Sequence, residues 1–130
     1  MHMNKYVVDS YSWIDYFDGN KQGKKVREFL ESKNNEIITN ILTLSEIISV
    51  FKRRGYDYDK AFEKIINLSK LYINNVNFSK EVGLLHAEIK TKIKDFGLAD
   101  AFVLLTARKL NAKILTGDPH FKNFKETIMV

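Results

Sequence analysis

Short runs rich in β-branched residues alternate with longer amphipathic runs along the whole of this 130-residue chain. Strands are predicted at Lys5 to Asp9, Glu36 to Asn40, near Ile73 to Asn77, Lys113 to Thr116 and Thr127 to Val130. Helices are predicted at residues 11–17, 23–31, 43–53, 58–71, 80–94 and 98–110. Strands separated by helices form a mostly parallel sheet covered on both faces. The predicted fold class is therefore α/β, a single-domain three-layer α/β/α sandwich.

Composition limits the number of domains, the kinds of site and the cellular locations that the chain can have. One proline and six glycines leave no linker, so residues 1–130 are interpreted as one domain, with Met1 and His2 as a cloning remnant. The absence of cysteine excludes disulfides, thiolate zinc sites and iron–sulfur clusters, and it favours a reducing, cytoplasmic location. Because no apolar run has the length of a signal or a membrane span, no membrane association is expected.

Four acidic residues fall at one edge of the predicted sheet. Asp9 closes the first strand, Glu46 lies in the first turn of the helix after the second strand, Asp100 begins a late helix, and Asp118 follows the fourth strand. The carboxyl ends of parallel strands meet at one edge, which is where ligands bind in such sheets. The four carboxylates are therefore expected to converge.

Each of these acids also has a local explanation. Thr43 and Glu46 match a capping box, Asp118 before Pro119 matches a helix N-cap, and Asp9 matches a turn or cap. Asp100 is explained by a favourable interaction with the dipole of its helix. On the residues alone, capping and a shared site both remain open.

Taken together, the four carboxylates indicate a metal site. Hard oxygen donors without cysteine suit Mg²⁺ or Mn²⁺. Such an ion lowers the pKa of a bound water and neutralises charge on a phosphate, which is the chemistry of phosphodiester hydrolysis. Outside the cluster, 21 basic residues face only 12 of the 16 acids, a surplus of positive charge that suits a nucleic acid. The candidate substrate-binding residues are Lys52, Arg53, Arg54 and His120.

The chain resembles the PIN-domain ribonucleases, and specifically the VapC-like toxins of type II toxin–antitoxin pairs. The resemblance is carried by residues 6–17 (YVVDSYSWIDYF), 44–47 (LSEI), 97–101 (GLADA) and 115–121 (LTGDPHF). It implies a PIN-like fold and a Mg²⁺- or Mn²⁺-dependent endoribonuclease whose catalytic and metal-binding acids are Asp9, Glu46, Asp100 and Asp118. It also implies that the Thr116 hydroxyl supports the acids.

The same resemblance implies partners. Members form homodimers, cut RNA, and are silenced by a protein antitoxin that lays a peptide segment along a groove near the early helices. Trp13, Tyr16 and Phe17 are the candidate groove residues. In many members, asparagine or a small hydroxyl residue stands two places after the first aspartate, where this chain has Tyr11. Ser10 or Ser12 is expected to replace it through a water.

Two other functions fit the pattern. One is a non-catalytic RNA-binding or interaction module on the same fold. The other is a receiver-like or haloacid-dehalogenase-like phosphotransfer domain, which also places an aspartate after the first strand. The sequence after Asp9 disfavours the second, because it shows neither the neighbouring acidic pair nor the Asp-x-Asp of those groups.

Overall fold

A five-stranded, fully parallel sheet forms the centre of the computed structural model, which describes residues 3–130. The strands are β1 (Asn4–Val8), β2 (Asn35–Asn40), β3 (Lys70–Tyr72), β4 (Lys113–Thr116) and β5 (Thr127–Met129). They are arranged in the order β3-β2-β1-β4-β5. The interpretation of Met1 and His2 as a cloning remnant lies outside the described residues.

In the described part of the chain, residues 3–130, six α-helices cover the two faces of the sheet. They are α1 (Ser10–Asp18), α2 (Lys21–Leu30), α3 (Ile41–Arg54), α4 (Tyr58–Leu68), α5 (Val76–Lys90) and α6 (Leu98–Leu110). The first four pack on one face, and α5 and α6 pack on the other. The predicted three-layer α/β/α architecture is confirmed. Within residues 3–130, no helix combines the length and apolar character needed to cross a membrane.

Alternating side chains of the central strands build a separate core on each face. Val7 of β1 and Ile114 of β4 pack with α5 and α6, whereas their neighbours Val8 and Leu115 pack with α1 to α4. All four side chains are completely buried. A strand that is buried on both faces is a continuous apolar run, as the sequences of β1 and β4 show.

The order of the strands fixes where a ligand can bind. From β1 the chain continues outward to β2 and β3, and it later returns to β4 on the other side of β1. The carboxyl ends of β1 and β4 therefore flank a topological switch point, where the loops diverge and leave a crevice. Asp9 and Gly117 follow directly at these two ends.

Three predicted elements are placed differently in the structure. The third strand is Lys70–Tyr72 and not Ile73 to Asn77, and the predicted helix 58–71 ends earlier, at Leu68. Residues 73–75 form a loop, and the Asn75 side chain accepts a hydrogen bond from the backbone N–H of Phe78 at 2.8 Å. This N-cap starts α5 at Val76, four residues before the predicted start.

Candidate metal centre

A threonine hydroxyl joins two of the acids at the switch point. The Thr116 hydroxyl donates a hydrogen bond to Asp9 Oδ2 and accepts one from the backbone N–H of Asp118 at 2.9 Å. Thr116 is completely buried, and Asp9 and Asp118 are only 4% and 6% exposed. The other oxygen of Asp9 caps α1 by accepting the Ser12 N–H at 3.0 Å. Asp9 therefore caps α1 and also lies beside Asp118, so its local explanation and the shared site hold at the same time.

A third acid reaches the same place from α6. Asp100 lies in the first turn of α6, and its Oδ2 accepts the backbone N–H of Gly97 at 2.9 Å. The imidazole Nδ1 of His120 lies 3.2 Å from that oxygen and 3.4 Å from Asp118 Oδ1. One potential ligand atom from each of Asp100, Asp118 and His120 lies within 4.8 Å of the other two.

Glu46 approaches from α3, although not as the sequence predicted. The helix begins at Ile41 because the Asn40 side chain caps it, accepting the Leu42 N–H at 2.8 Å. Glu46 therefore lies in the second turn, and the predicted capping box of Thr43 and Glu46 is wrong. Burial raises the pKa of the half-buried Glu46 carboxyl, and the charge of Asp100 adds to that rise.

Asn40 also fixes the position of α3 relative to α6, a role the sequence analysis missed. Its Nδ2 donates to Thr106 Oγ1 of α6 at 2.9 Å and to Asn74 Oδ1 at 2.7 Å. Asn40 and Thr106 are both completely buried. By holding the two helices together, this network sets the spacing of Glu46 and Asp100. The available signal was an asparagine between a strand and a helix, a preferred N-cap.

The acid cluster is strained when all its carboxyls are ionised. Burial raises the pKa of the Asp9 carboxyl from 3.8 to about 7. Hydrogen bonds from Thr116 and Ser12 oppose this rise, and the charges of Asp118 and Asp100 add to it. Asp9 is thus held where the ionised form is costly near neutral pH.

The two less buried acids are perturbed in the same direction. Burial raises the pKa of Asp100, assisted by the charge of Asp118 and opposed by the Gly97 N–H and by His120. Burial, with the charge of Asp100, raises the pKa of Glu46. Between residues 3 and 130, His120 is the only basic side chain within 4 Å of these carboxylates. Close, poorly neutralised oxygen donors are a donor set that a divalent cation fits.

Other predicted site residues lie around or away from this cluster. Ser10 begins α1 directly after Asp9, and Tyr11 beside it leaves 53% of its surface exposed. Ser12 is completely buried, and its hydroxyl lacks a hydrogen-bond partner among residues 3–130. The basic residues Lys52, Arg53 and Arg54 occupy the last turn of α3. They begin six residues beyond Glu46, about 9 Å along the helix axis, so they are not brought to the acids.

The predicted aromatic groove is only partly as expected. Trp13 is completely buried, with its indole N–H donating to Thr39 Oγ1 at 3.0 Å, so it belongs to the core and not to a groove. Tyr16 and Phe17 do line an open cleft of about 820 Å³. The same cleft is lined by Phe51 of α3 and by residues of α2 and α4.

Comparisons with solved structures show that the fold is a known one. The chain superimposes on VapC20 of Mycobacterium tuberculosis, described as a sarcin-ricin loop cleaving toxin, with a TM-score of 0.71 and 15% identity, covering 89% of this chain and 92% of that one. A toxin–antitoxin complex from Klebsiella pneumoniae superimposes with a TM-score of 0.72 and 15% identity, covering 95% of this chain and 96% of that one. VapBC2 of Rickettsia felis, bound to a fragment of its promoter DNA, superimposes with a TM-score of 0.73 and 17% identity, covering 97% of each chain.

Sequence comparison supplies the family. No curated protein matches the chain significantly. The model of the PIN domain family, however, matches residues 6–126, which include β2, β3, β4 and all of β1 except its first two residues, and which end just before β5. Over nearly its whole length, therefore, this chain belongs to the PIN domain family.

Proposed function

We propose that this protein is a metal-dependent endoribonuclease that hydrolyses RNA phosphodiester bonds, and that it is the toxin of a type II toxin–antitoxin pair. The observation that carries the proposal is the cluster of buried and partly buried carboxylates at the switch point of a PIN domain, with His120 as a close basic neighbour. The toxins among its structural neighbours support the biological role.

The residues that would hold Mg²⁺ or Mn²⁺ are Asp9, Glu46, Asp100 and Asp118. When bound, such an ion lowers the pKa of a coordinated water and neutralises charge that builds on the phosphate. The chain itself keeps the carboxylates oriented. The Thr116 hydroxyl directs Asp9 Oδ2, since it is itself held by the backbone N–H of Asp118. A carboxylate that is fixed by hydrogen bonds needs no reorganisation when its ligand arrives.

Side chains at the rim of the cluster are suited to contact RNA. His120 is one-third exposed while its Nδ1 faces the acids, so the ring can also reach a phosphate. Tyr11 offers an exposed ring two residues after Asp9, and bases of single-stranded RNA stack on such rings. The positive surplus outside the cluster would attract a polyanion that the acids alone repel. Lys52, Arg53 and Arg54 remain candidates for a more distant stretch of the strand.

The cleft beside α1 is the proposed binding site of the antitoxin segment. Tyr16, Phe17, Phe51 and Tyr56 give it aromatic walls, and charged side chains of both signs surround them. Such a surface suits an amphipathic peptide with apolar anchors. Two of the structural neighbours are complexes of a toxin with an antitoxin. The proposal also holds that the protein forms a homodimer and acts in the cytoplasm.

A circular RNA and a panel of linear RNAs, incubated with the protein across a titration of Mg²⁺ and Mn²⁺, test the activity. Cleavage of the circle requires an endonuclease, because the substrate has no ends. We expect cleavage that rises with either metal and stops in EDTA. RNA binding without cleavage at any metal concentration would instead identify a non-catalytic RNA-binding module. Transfer of phosphate from a phosphodonor to Asp9 would identify a phosphotransfer domain.

A further inference from the structure

An imidazole nitrogen lies between two carboxylates of the acid cluster. His120 Nδ1 lies 3.2 Å from Asp100 Oδ2 and 3.4 Å from Asp118 Oδ1. Neighbouring ligands of an octahedral ion with bonds of about 2.1 Å are about 3 Å apart. The two distances to the imidazole are therefore close to those between neighbouring ligands of such an ion, and ligand atoms of all three side chains lie within 4.8 Å of one another.

The backbone holds the imidazole in this place. Asp118 caps the single 3₁₀ turn Pro119–Phe121, and its Oδ1 accepts the His120 N–H at 2.9 Å. The next residue, Phe121, is completely buried, and its carbonyl accepts the Thr127 hydroxyl at 2.7 Å. The backbone of His120 is thus held between one ligand candidate and a buried residue of the core, as the position of a metal ligand requires.

The nature of the donor determines which ion the site prefers. Mg²⁺ binds almost entirely to oxygen and keeps several waters, whereas imidazole nitrogen suits transition metals. We infer that His120 coordinates the ion through Nδ1 together with Asp100 and Asp118, and that the site consequently prefers Mn²⁺ to Mg²⁺. This inference rests on the proposed metal-dependent function and goes beyond it by naming a nitrogen ligand and one ion.

Electron spin-echo spectroscopy of Mn²⁺ bound to the wild-type protein reads out the ligand without any activity assay. Protein containing ¹⁵N-histidine is compared with unlabelled protein, each with one equivalent of Mn²⁺. We expect a directly coordinated nitrogen signal that changes with the label. Bound Mn²⁺ without a histidine nitrogen signal overturns the inference and leaves the carboxylate site intact. If neither Mn²⁺ nor Mg²⁺ binds, the proposed function and this inference both fail.

A substitution supplies the second measurement. His120→Asn replaces the nitrogen donor by a short amide whose oxygen can still ligate, so Mn²⁺ affinity should fall about tenfold or more while Mg²⁺ affinity changes little. His86→Gln is the matched control, because His86 instead contacts the Phe96 carbonyl at 3.0 Å, and it should leave both affinities unchanged. Equal losses for the two ions in His120→Asn would show that His120 acts only through the charge of the cluster, which overturns the inference.

Discussion

Replacing Asp9 by asparagine should remove much of the pH dependence of folding stability in the metal-free protein. Burial raises the Asp9 pKa from 3.8 to about 7, so the folded state binds a proton that the unfolded state has already lost. Stability contributed by this group is therefore greatest below pH 4 and declines as the pH rises toward 7. A shift of about 3 units corresponds to about 4 kcal/mol of lost stability near pH 7.

Asparagine keeps the shape of the side chain but cannot ionise. It also weakens the hydrogen bond from Thr116, a cost of about 1–3 kcal/mol that does not vary with pH and so leaves the slope unaffected. Asp100 and Glu46, whose pKa values are also raised, titrate in both proteins. The difference between the two pH curves thus isolates the Asp9 contribution.

The assay is urea unfolding in EDTA at constant ionic strength, from pH 4.5 to 8. Asp95→Asn, which removes an exposed carboxylate from a turn, serves as the control and should follow the wild type. The wild type should lose several kcal/mol across this range, and Asp9→Asn should lose much less. An equally steep decline in wild type and Asp9→Asn would refute the argument that burial makes the ionised Asp9 costly.

Three further results are expected. Thr116→Val should lower the free energy of unfolding by about 2 kcal/mol, because buried Asp9 loses a hydrogen-bond donor; unchanged stability in urea would contradict this. Mn²⁺ at a hundred times its dissociation constant should stabilise the wild type by about 2.7 kcal/mol in a thermal melt, and it should stabilise Asp100→Asn less; equal shifts would exclude Asp100 as a ligand. Charge reversal at residues 52–54 should reduce the log–log salt slope of RNA binding in Ca²⁺ by about 0.7 per lost phosphate contact; an unchanged slope assigns these residues to solvent.

The central part of the fold could be predicted from the sequence because its signals agree. Helix α6 and strand β4 have the predicted bounds, Leu98–Leu110 and Lys113–Thr116. A glycine caps the start of α6, and Asn111 ends it in the left-handed conformation with φ of 52°. Strand β4 has only four residues, and the last three are buried, so its pattern does not fit an amphipathic helix. Local chemistry and burial thus indicate the same boundaries.

The edge of the sheet was harder to predict. Strand β3 has only three residues and pairs on one side, so its sequence shows little alternation. The β-branched residues that follow it are typical of a strand, yet Ile73 lies in the loop and is 71% exposed, and Val76 begins α5 and is 86% exposed. The start of α3 was also missed, because Thr43 and Glu46 fit a capping box while Asn40 makes the cap.

For the candidate site, the positions of residues in the predicted elements selected the acids, and the family resemblance implied that Thr116 supports them, but the alternating pattern did not predict the contacts between them. Position at strand ends and helix starts was enough to select Asp9, Asp100 and Asp118, since parallel strands converge at one edge. The link through Thr116 joins residues 107 positions apart, and the approach of His120 to Asp100 spans 20 positions. Such contacts depend on the order of the strands, which the alternating pattern alone does not specify.

Cleavage of RNA by Asp100→Asn tests most directly whether the acid cluster is the catalytic metal site. Asparagine can still accept the Gly97 N–H through its amide oxygen, so the start of α6 should remain folded, as circular dichroism would verify. The measurement is the cleavage rate of a circular RNA with Mn²⁺, by wild type and variant side by side. The account predicts metal-dependent cleavage by the wild type and loss of cleavage in the folded variant. Undiminished cleavage by a folded Asp100→Asn protein would contradict it.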